Sequence, residues 1–433
     1  MERCYMERLR VWKECASGKP LLVLGARQTG KSWLLNEFGR RYFKDVVRLD
    51  FMLNKDLADV FAQDLDPCRI VSQLELRLGR TIDPANTLLI LDEIQEAPRG
   101  LTSLKYFCEQ APEYHVAAAG SYMGLALRRE GESFPVGKVE TLIMRPMRFV
   151  EFVRAVHGEP LARALEAGDM ATLSGVADVL VRALKDYFVI GGMPEVVDSF
   201  ARNRDYEEAR RLQNEILLAY DADFSKHAPV RLVERMRMAW QSLPSQLAHE
   251  NSRFIYSAVR PGARARDFEE ALQWLADYGV VSKVPRVAAL RFPPSAYEDL
   301  SAFKLFCVDV GLLGAMSGLP MQVVLQEHAL FTEFKGSLTE QYVFQELVAD
   351  GFEPVYWSNE AGRAETDFSV ALNGAVLPIE VKAGENLRSK SLRVACDKFG
   401  LGRAIRTSLS GYRDDGWLVN IPLWAIGSLR ALA

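Results

Sequence analysis

The chain has 433 residues, of which 49% are hydrophobic and 25% charged, and its formal net charge is −4 at pH 7. This composition is ordinary for a globular protein, and the length accommodates about three domains of ~150 residues each. The small negative charge excludes a global basic field for nucleic acid, although a local basic groove would still bind phosphates.

The cysteines and the distribution of apolar residues indicate where the protein resides. None of the six cysteines forms a CxxC pair, which is typical of a reducing cytoplasm and argues against a zinc cluster. No apolar run approaches the ~18–20 residues that span a bilayer. The N-terminus MERCYMERLRVW interleaves charged and apolar residues, unlike a secretory signal. We therefore expect a cytoplasmic protein without a membrane partner.

Residues 21–32, LLVLGARQTGKS, predict a phosphate-binding loop. A short apolar strand ends in the GxxxxGK[ST] pattern, and the amphipathic stretch WLLNEFGRRY follows as a helix. Gly25 and Gly30 let the loop curl, so that its backbone N–H groups and the helix N-terminus face the phosphates of ATP. Lys31 reaches the β- and γ-phosphates, and Ser32 offers its hydroxyl to Mg²⁺. The predicted nucleotide-binding residues here are Gly25, Ala26, Arg27, Gln28, Thr29, Gly30, Lys31, Ser32 and Trp33.

A second apolar strand ends in two acids. The segment TLLILDEIQEAP (87–98) has the unbroken apolar run of a buried parallel strand. Asp92 is predicted to bind nucleotide and to hold Mg²⁺, and Glu93 to orient and deprotonate the attacking water. Acids also occur beside helix N-termini, but the combination with the upstream loop favours the catalytic interpretation.

Further polar residues are predicted near the γ-phosphate. The strand YHVAAAGS (114–121) ends in Ser121, which the carboxyl edge of a parallel sheet places near the phosphates. A helix N-cap serine fits this position equally well. An arginine finger across a subunit boundary would require an oligomer, and its candidates are Arg128, Arg129, Lys138 and Arg145. Any single one of these cations is more typical of a solvated surface.

The middle of the chain is predicted to be helical. The helical pattern extends from about Phe149 to Tyr220 and is interrupted by the turn IGGMPE (190–195). The segment 266–287 predicts a helix, a stop at Gly279 and a short strand, which suggests a winged helix. The basic loop RPGARAR before it is compatible with DNA phosphates or with solvent, and winged helices also bind proteins.

The C-terminal segment predicts a helix followed by three strands. Glu340 lies on the helix, and the second and third strands, AETDFSVAL and AVLPIEVKAG, flank Asn373-Gly374. Asn-Gly between two apolar runs is a strong hairpin signal. Asp367 and Glu380 then face each other on adjacent strands. Lys382 shares a face with Glu380 because side chains alternate along a strand.

These residues predict a metal-dependent, nuclease-like site. Asp367 and Glu380 would bind Mg²⁺ or Mn²⁺ together with the backbone carbonyl of Val381. Glu340 would join them from the helix. Lys382 would position or activate the water while the metal stabilises charge on a phosphodiester. A simple salt bridge is the alternative, but the order of the residues on their elements favours the nuclease-like site.

The motifs GARQTGKS, LILDEIQ, AAAGS, IGGMPEVV, FCVDVGLL and IEVKAG follow one another in an order that resembles a widespread bacterial and archaeal family. Its members join an AAA-type ATPase domain to a C-terminal domain of unknown function with a restriction-endonuclease-like, PD-(D/E)xK, core. The resemblance implies ATP and Mg²⁺ at the loop and at the two acids, a winged-helix segment, and a nuclease-like quartet of Glu340, Asp367, Glu380 and Lys382. Many members resemble Gly-Arg where this chain has Gly137-Lys138, and lysine lacks the planar fork of arginine.

The expected fold class is therefore α/β multidomain. It combines an AAA-type P-loop parallel sheet, a helical and winged-helix middle, and a restriction-endonuclease-like α/β domain. The expected domains are residues 1–150 (ATPase), 151–225 (helical), 226–320 (winged-helix-like) and 321–433 (restriction-endonuclease-like).

Three functions are compatible with these patterns. The first is an ATPase coupled to a nuclease-like domain that acts on DNA or RNA and carries a second Mg²⁺ or Mn²⁺. The second is a nucleotide-dependent switch whose C-terminal domain is catalytically silent and binds DNA or a partner protein. The third is a small-molecule kinase, which is disfavoured because Glu93 suits water better than a substrate hydroxyl.

Overall fold

The computed structural model describes residues 2–15, 17–121, 135–249, 253–325, 332–359, 364–384 and 389–433. The chain divides into two compact units. The N-terminal unit comprises Glu2–Arg145 with Asp277–Gly279, and the C-terminal unit comprises Pro146–Ala276 with Val280–Ala433. Each unit is built around its own β-sheet.

The N-terminal unit alternates strands and helices. Its strands are β1 Leu21–Leu24, β2 Asp45–Asp50, β3 Thr87–Asp92, β4 His115–Gly120 and β5 Glu140–Ile143. Its helices are α1 Tyr5–Glu14, α2 Lys31–Tyr42, α3 Val60–Gln63, α4 Pro67–Leu78 and α5 Pro98–Gln110, with 3₁₀ turns at Lys55–Asp59 and Ile94–Glu96. All strand pairs are parallel, in the order β2-β3-β4-β1-β5. The predicted parallel sheet is thus confirmed.

Both faces of the central strands β1, β3 and β4 are buried, which explains why these three strands are almost entirely apolar. Along β3, Leu88 and Ile90 pack in the cluster that contains residues of α1 and α2, whereas Leu89 and Leu91 pack in the cluster that contains residues of α4 and α5. A strand covered on both faces shows a continuous apolar run rather than alternation. Polar side chains of these central strands can therefore gather only where the strands end.

The C-terminal unit begins with helices and continues into a mixed sheet. The first helices are α6 Phe149–His157, α7 Glu159–Ala167, α8 Met170–Ser174, α9 Ala177–Ile190, α10 Pro194–Asn203, α11 Tyr206–His227, α12 Val230–Gln241, α13 Leu243–Ala248, α14 Tyr256–Val259 and α15 Ala265–Asp277. The later helices are α16 Val310–Met316, α17 Met321–Leu325, α18 Thr332–Ala349, α19 Lys390–Phe399 and α20 Leu429–Leu432, with 3₁₀ turns at Pro294–Tyr297 and Leu423–Ser428.

Over the described residues, the mixed sheet of this unit has eight strands in the order β12-β13-β11-β10-β9-β8-β6-β7. The strands are β6 Val281–Val287, β7 Glu298–Cys307, β8 Val355–Ser358, β9 Glu365–Leu372, β10 Ala375–Val381, β11 Ala404–Ser408, β12 Arg413–Asp414 and β13 Leu418–Pro422. Strands β6 and β7 come from the segment predicted to be a winged helix, yet they pair within the same sheet as the predicted nuclease-like strands. The winged helix itself stays a prediction.

The predicted hairpin is confirmed. Strands β9 and β10 are antiparallel, and Asn373 and Gly374 between them have φ values of 51° and 78°. Positive φ at both central residues is what a tight hairpin turn requires. The register pairs Phe368 with Ile379, and its continuation by one residue sets Asp367 opposite Glu380. The hairpin therefore brings the two predicted acids together.

The glycines of the IGGMPE turn permit close packing around a buried acid. The backbone N–H of Gly192 donates a 2.6 Å hydrogen bond to Asp309, and Gln345 of α18 donates to the same carboxylate at 3.3 Å. Burial raises the pKa of Asp309 to about 6, although the N–H donors oppose that shift. A Cβ on Gly191 would lie 2.1 Å from Asp309 Oδ1. The turn predicted from sequence is therefore also a long-range packing junction.

We expect Gly191→Ala to destabilise the C-terminal unit by about 2 kcal/mol or more, because the methyl group would overlap a buried carboxylate. Gly158→Ala is the matched control. Gly158 has a similar backbone conformation, φ 96° and ψ 170° against φ 75° and ψ −165° for Gly191, but a Cβ added there would meet only Pro160 Cδ at 3.9 Å. Thermal unfolding of both variants should show a clearly larger loss for Gly191→Ala. Equal losses would mean that backbone strain alone, and not the packing, requires glycine at position 191.

Candidate functional site

The phosphate-binding loop connects β1 to α2 with its predicted glycines at points of close approach. A Cβ on Gly25 would lie 2.3 Å from the carbonyl oxygen of Met144. Gly30 caps α2 with a φ of 90°, in the left-handed region that glycine tolerates best. The buried Thr29 hydroxyl donates to the Ala26 carbonyl at 2.9 Å. The loop is therefore held in a curled conformation by its own residues.

Lys31 lies at the start of α2 with its ammonium turned into the loop. Its Nζ donates to the carbonyl oxygens of Gly25 and Ala26, at 3.1 and 2.8 Å. Burial lowers the pKa of Lys31 to about 8, although the carboxylates of Glu93 and Asp92 oppose this effect. Phosphate oxygens would be far stronger partners for this ammonium than two loop carbonyls.

Asp92 ends β3 and is the centre of the site. It is 1% exposed, and its Oδ1 accepts a 2.9 Å hydrogen bond from the Ser32 hydroxyl. Its Oδ2 accepts from Arg48, with Nε at 2.8 Å and Nη2 at 2.6 Å. Arg48 also contacts Asp50, the last residue of β2, at 2.9 Å. Hydroxyl and carboxylate oxygens are the ligands that Mg²⁺ prefers, so Ser32 and Asp92 fit that ion.

Glu93 follows Asp92 with a φ of 51° and accepts a short hydrogen bond from the Gln95 amide. The other end of that amide, Oε1, is buried without a partner. Ser121 follows β4 directly, and the register of β4 with β1 and β3 puts it at the same carboxyl edge. The predicted base and the predicted sensor thus lie at the edge that carries the loop.

The remaining predicted residues of this unit are those of the loop and the candidates for an arginine finger. Gln28 has a left-handed φ of 62°, and Trp33 on the first turn of α2 is 43% exposed. Arg27 contributes its positive charge to the lowered pKa of Lys31. Lys138, one of the finger candidates, pairs with Glu109 at 2.9 Å. Arg128 and Arg129 lie outside the described residues.

Two arginines of the N-terminal unit were missed by the sequence analysis. Arg48 was overlooked because a single charged residue on a strand has no local signature. Arg3 is 2% exposed and donates to the carbonyl oxygens of Thr29 and Arg145, at 2.9 and 2.8 Å. It therefore ties the N-terminal segment to the phosphate-binding loop. Neither contact is readable from spacing, because the partners are far apart in the chain.

The C-terminal unit brings together three of the four predicted nuclease-like residues. Asp367 Oδ2 accepts a 2.7 Å hydrogen bond from the backbone N–H of Val381. Lys382 Nζ lies 2.8 Å from Glu380 Oε1. Glu380 is 7% exposed, and its second oxygen, Oε2, is buried with no hydrogen-bond partner. A buried carboxylate oxygen without a partner is costly, so this atom marks a place for a cation or a donor.

Lys304 on β7 is a second lysine in this cluster that the sequence analysis did not identify. Its Nζ lies 2.7 Å from Glu365 Oε1 and 3.6 Å from Glu340 Oε2, and the residue is 1% exposed. Burial alone would lower the pKa of Lys304, but the surrounding carboxylates, Asp367 included, raise it above its ordinary value. Glu340, predicted as a metal ligand, therefore lies against an ammonium group.

The polar row continues across the sheet beyond Glu380. The register places Arg406 of β11 beside Glu380 and Asn420 of β13 beside Arg406. The Arg406 guanidinium donates to Asn420 Oδ1 at 2.9 Å, and burial lowers its pKa. Asp367, Glu380, Arg406 and Asn420 thus occupy neighbouring positions on consecutive strands. This row was not apparent from sequence.

The donor set limits what metal the C-terminal cluster would take. Over the described ranges, no group of three or more His, Cys, Asp or Glu side chains is placed to hold a metal ion. The ligands available to a metal ion at the hairpin are therefore two carboxylates, Asp367 and Glu380, and the Val381 carbonyl. An oxygen-only set of this kind suits Mg²⁺ or Mn²⁺, and the unpartnered oxygen of Glu380 fits such an ion.

Comparisons with known proteins identify the class of the first domain. Residues 17–153 match the family model of an AAA domain. Residues 181–323 match a domain of unknown function, DUF8612, and residues 335–425 match another, DUF4143. No curated protein matches the chain significantly. Residues 17–153 therefore form an AAA-type P-loop ATPase domain, which confirms that part of the family resemblance.

Three solved structures show a distant likeness to this chain. A Walker-type ATPase of Pyrococcus abyssi has a TM-score of 0.44 and 12% identity, covering 73% of this chain and 95% of that chain. The ORC1 protein of Aeropyrum pernix in complex with DNA has a TM-score of 0.28 and 12% identity, covering 75% and 95%. AMPPCP-bound DnaA from Aquifex aeolicus has a TM-score of 0.24 and 14% identity, covering 64% and 89%. Scores this low do not establish function, so the class assignment rests on the family model.

The described helices include none with the length and apolar character that crossing a membrane requires.

Nucleotide affinity should fall with rising pH above about 8. The phosphates need Lys31 charged, and its pKa in the free loop is about 8. Below this pH the ammonium is already present and the affinity is flat. Above it, binding must take up a proton, so the dissociation constant should rise about tenfold per pH unit.

Titration calorimetry at pH 9 in two buffers of different ionisation enthalpy would measure this proton. Wild type should take up about one proton per nucleotide, and Lys31→Met, with its weaker binding, about none. A flat affinity from pH 7 to 9.5 in wild type would contradict the lowered pKa.

Proposed function

We propose that the N-terminal unit hydrolyses ATP with Mg²⁺. The observation that carries this proposal is the 2.9 Å hydrogen bond between the Ser32 hydroxyl and Asp92 Oδ1, beside the buried ammonium of Lys31. A phosphate-binding loop, a metal-binding pair of oxygens and an acid for the water are the parts that phosphoryl transfer requires.

Each residue has a separate role in this proposal. Lys31 exchanges its loop carbonyls for the β- and γ-phosphate oxygens, and the loop N–H groups bind the phosphates from the other side. Ser32 and Asp92 hold the metal, which neutralises charge on the phosphates when bound. Glu93 accepts the proton of the attacking water, once its carboxylate is released from the Gln95 amide.

Glu93→Gln should bind ATP with an affinity within about twofold of wild type and hydrolyse it at least about 100-fold more slowly, because the amide cannot accept the proton of the water. The readout is inorganic phosphate released per chain. Glu96→Gln, an exposed acid at the end of the 3₁₀ turn that Glu93 precedes, is the control and should retain wild-type turnover. Undiminished phosphate release by Glu93→Gln would remove this residue from the mechanism. Transfer of phosphate to a metabolite, without free phosphate, would indicate a kinase instead.

We propose further that the C-terminal unit is a nuclease-like module that acts on nucleic acid. The support is the cluster of Asp367, Glu380 and Lys382 at the end of the hairpin, with one carboxylate oxygen unpartnered. Lys382 is 32% exposed on its side chain, so water and a phosphodiester can approach it. When bound between the two acids, Mg²⁺ or Mn²⁺ would supply stabilisation of charge on the phosphodiester.

A second candidate function is a nucleotide-dependent switch whose C-terminal unit binds DNA or a partner protein without cutting. It is favoured by the absence, over the described ranges, of a group of three metal-binding side chains. It is also favoured by Lys304, which compensates Glu340 and Glu365 without any metal. In this alternative the same polar row serves recognition and not catalysis.

A cleavage assay distinguishes the two candidate functions. It uses single- and double-stranded DNA and RNA with Mg²⁺ or Mn²⁺, in the presence and absence of ATP. The nuclease-like module predicts cutting that Lys382→Ala reduces by at least about 100-fold, because the lysine positions the water. Lys390→Ala removes an exposed charge at the start of α19 and should leave cutting unchanged. Cutting that persists in Lys382→Ala would contradict the assigned role, and no cutting under any condition would favour the switch.

A further inference from the structure

We infer that Lys304 stands in place of a second divalent cation in the C-terminal cluster, so that this cluster takes a single Mg²⁺ or Mn²⁺ held by Asp367 and Glu380. The inference rests on the proposed metal-dependent site and specifies its stoichiometry and its ligands. It assigns Glu340 and Glu365 to the lysine, and it gives Lys304 and Lys382 different tasks.

The first argument is the position of the Lys304 ammonium. It lies 2.7 Å from Glu365 and 3.6 Å from Glu340, and Asp367 also acts on it electrostatically. It lies 5.1 Å from the centre of the Tyr356 ring, which adds a cation–π contact. A cation among several carboxylates is the arrangement that a metal ion would otherwise supply. The ammonium therefore satisfies these acids permanently.

The second argument is burial. Lys304 is 1% exposed, and removing a lysine charge from water is unfavourable unless the charge is paired. Its carboxylate partners supply that pairing, so releasing either Glu340 or Glu365 to a metal would leave the ammonium undercompensated. By contrast, Lys382 has 32% of its side chain exposed and pairs with Glu380. Of these two lysines, Lys382 is the one placed to meet water and substrate.

The third argument is that one carboxylate oxygen in a different part of the same cluster still lacks a hydrogen-bond partner. Glu380 is 7% exposed, and its Oε2 has no partner, whereas its Oε1 is bound to Lys382. Asp367, opposite it across the hairpin, offers a carboxylate from the neighbouring strand. The acids beside Lys304 are already paired with its ammonium, whereas this oxygen of Glu380 is not. One ion between Asp367 and Glu380 would satisfy it.

The test counts Mn²⁺ bound to the full chain without nucleotide, by titration calorimetry and electron paramagnetic resonance. Every protein carries Asp92→Asn to remove the carboxylate to which the N-terminal metal is assigned. The matched pair of variants is Glu365→Gln and Asp367→Asn, two acids of the same strand that lie on one face. We expect one Mn²⁺ per chain, an affinity unchanged within about twofold by Glu365→Gln, and a loss of at least about tenfold for Asp367→Asn.

A third variant, Lys304→Met, probes the replaced cation directly. Removing the ammonium takes the cation away from Glu340 and Glu365, so this variant should bind two Mn²⁺ ions. Because uncompensated acids destabilise it, its unfolding temperature should rise with Mn²⁺ more than that of the parent. If this variant does not fold, the comparison of Glu365→Gln with Asp367→Asn still tests the inference.

The outcomes separate the inference from the proposed function. Two Mn²⁺ ions in the parent chain, or a tenfold loss on Glu365→Gln, would overturn the inference and leave the metal-dependent site standing. No Mn²⁺ bound in the parent chain would overturn both.

Discussion

The buried carboxylate of Asp92 is the constraint on which the nucleotide site depends. A charge that is 1% exposed must be fully paired, and Asp92 finds its partners on two other elements, Ser32 of α2 and Arg48 of β2. These contacts fix the start of α2 against the end of β3. They therefore fix the position of the phosphate-binding loop, which leads into α2. The position of Lys31, the first residue of α2, is fixed with it.

In the C-terminal unit, carboxylates are also paired, but with other groups. Three of its acids are compensated by fixed donors or cations: Asp309 by backbone N–H groups, Glu365 by Lys304, and one oxygen of Glu380 by Lys382. The second oxygen of Glu380 is the exception among these. Exceptions of this kind draw attention to function, because a fold rarely leaves a buried carboxylate oxygen unsatisfied without a ligand to meet it.

The sequence predicted what depends on local pattern and missed what depends on distant contacts. The phosphate-binding loop, the apolar strand before Asp92 and the Asn-Gly hairpin each have a signature within about a dozen residues. Arg48 and Lys304 have no such local signature, because a single cation on a strand is equally typical of a solvent-exposed strand at the edge of a sheet. The sequence predicted IGGMPE only as a turn between helices. Its packing against Asp309 was not predictable, because the contact joins residues more than a hundred positions apart.

Phosphate release from ATP as a function of Mg²⁺ concentration, for wild type and Asp92→Asn, tests the central claim most directly. Wild type should release phosphate only with Mg²⁺. Asp92→Asn should need at least about tenfold more Mg²⁺ for half-maximal release, while it binds ATP without metal as wild type does, which also shows that it is folded. Mg²⁺-independent release by wild type, or the same Mg²⁺ requirement in both proteins, would contradict the assignment of Asp92 as the residue that holds the metal.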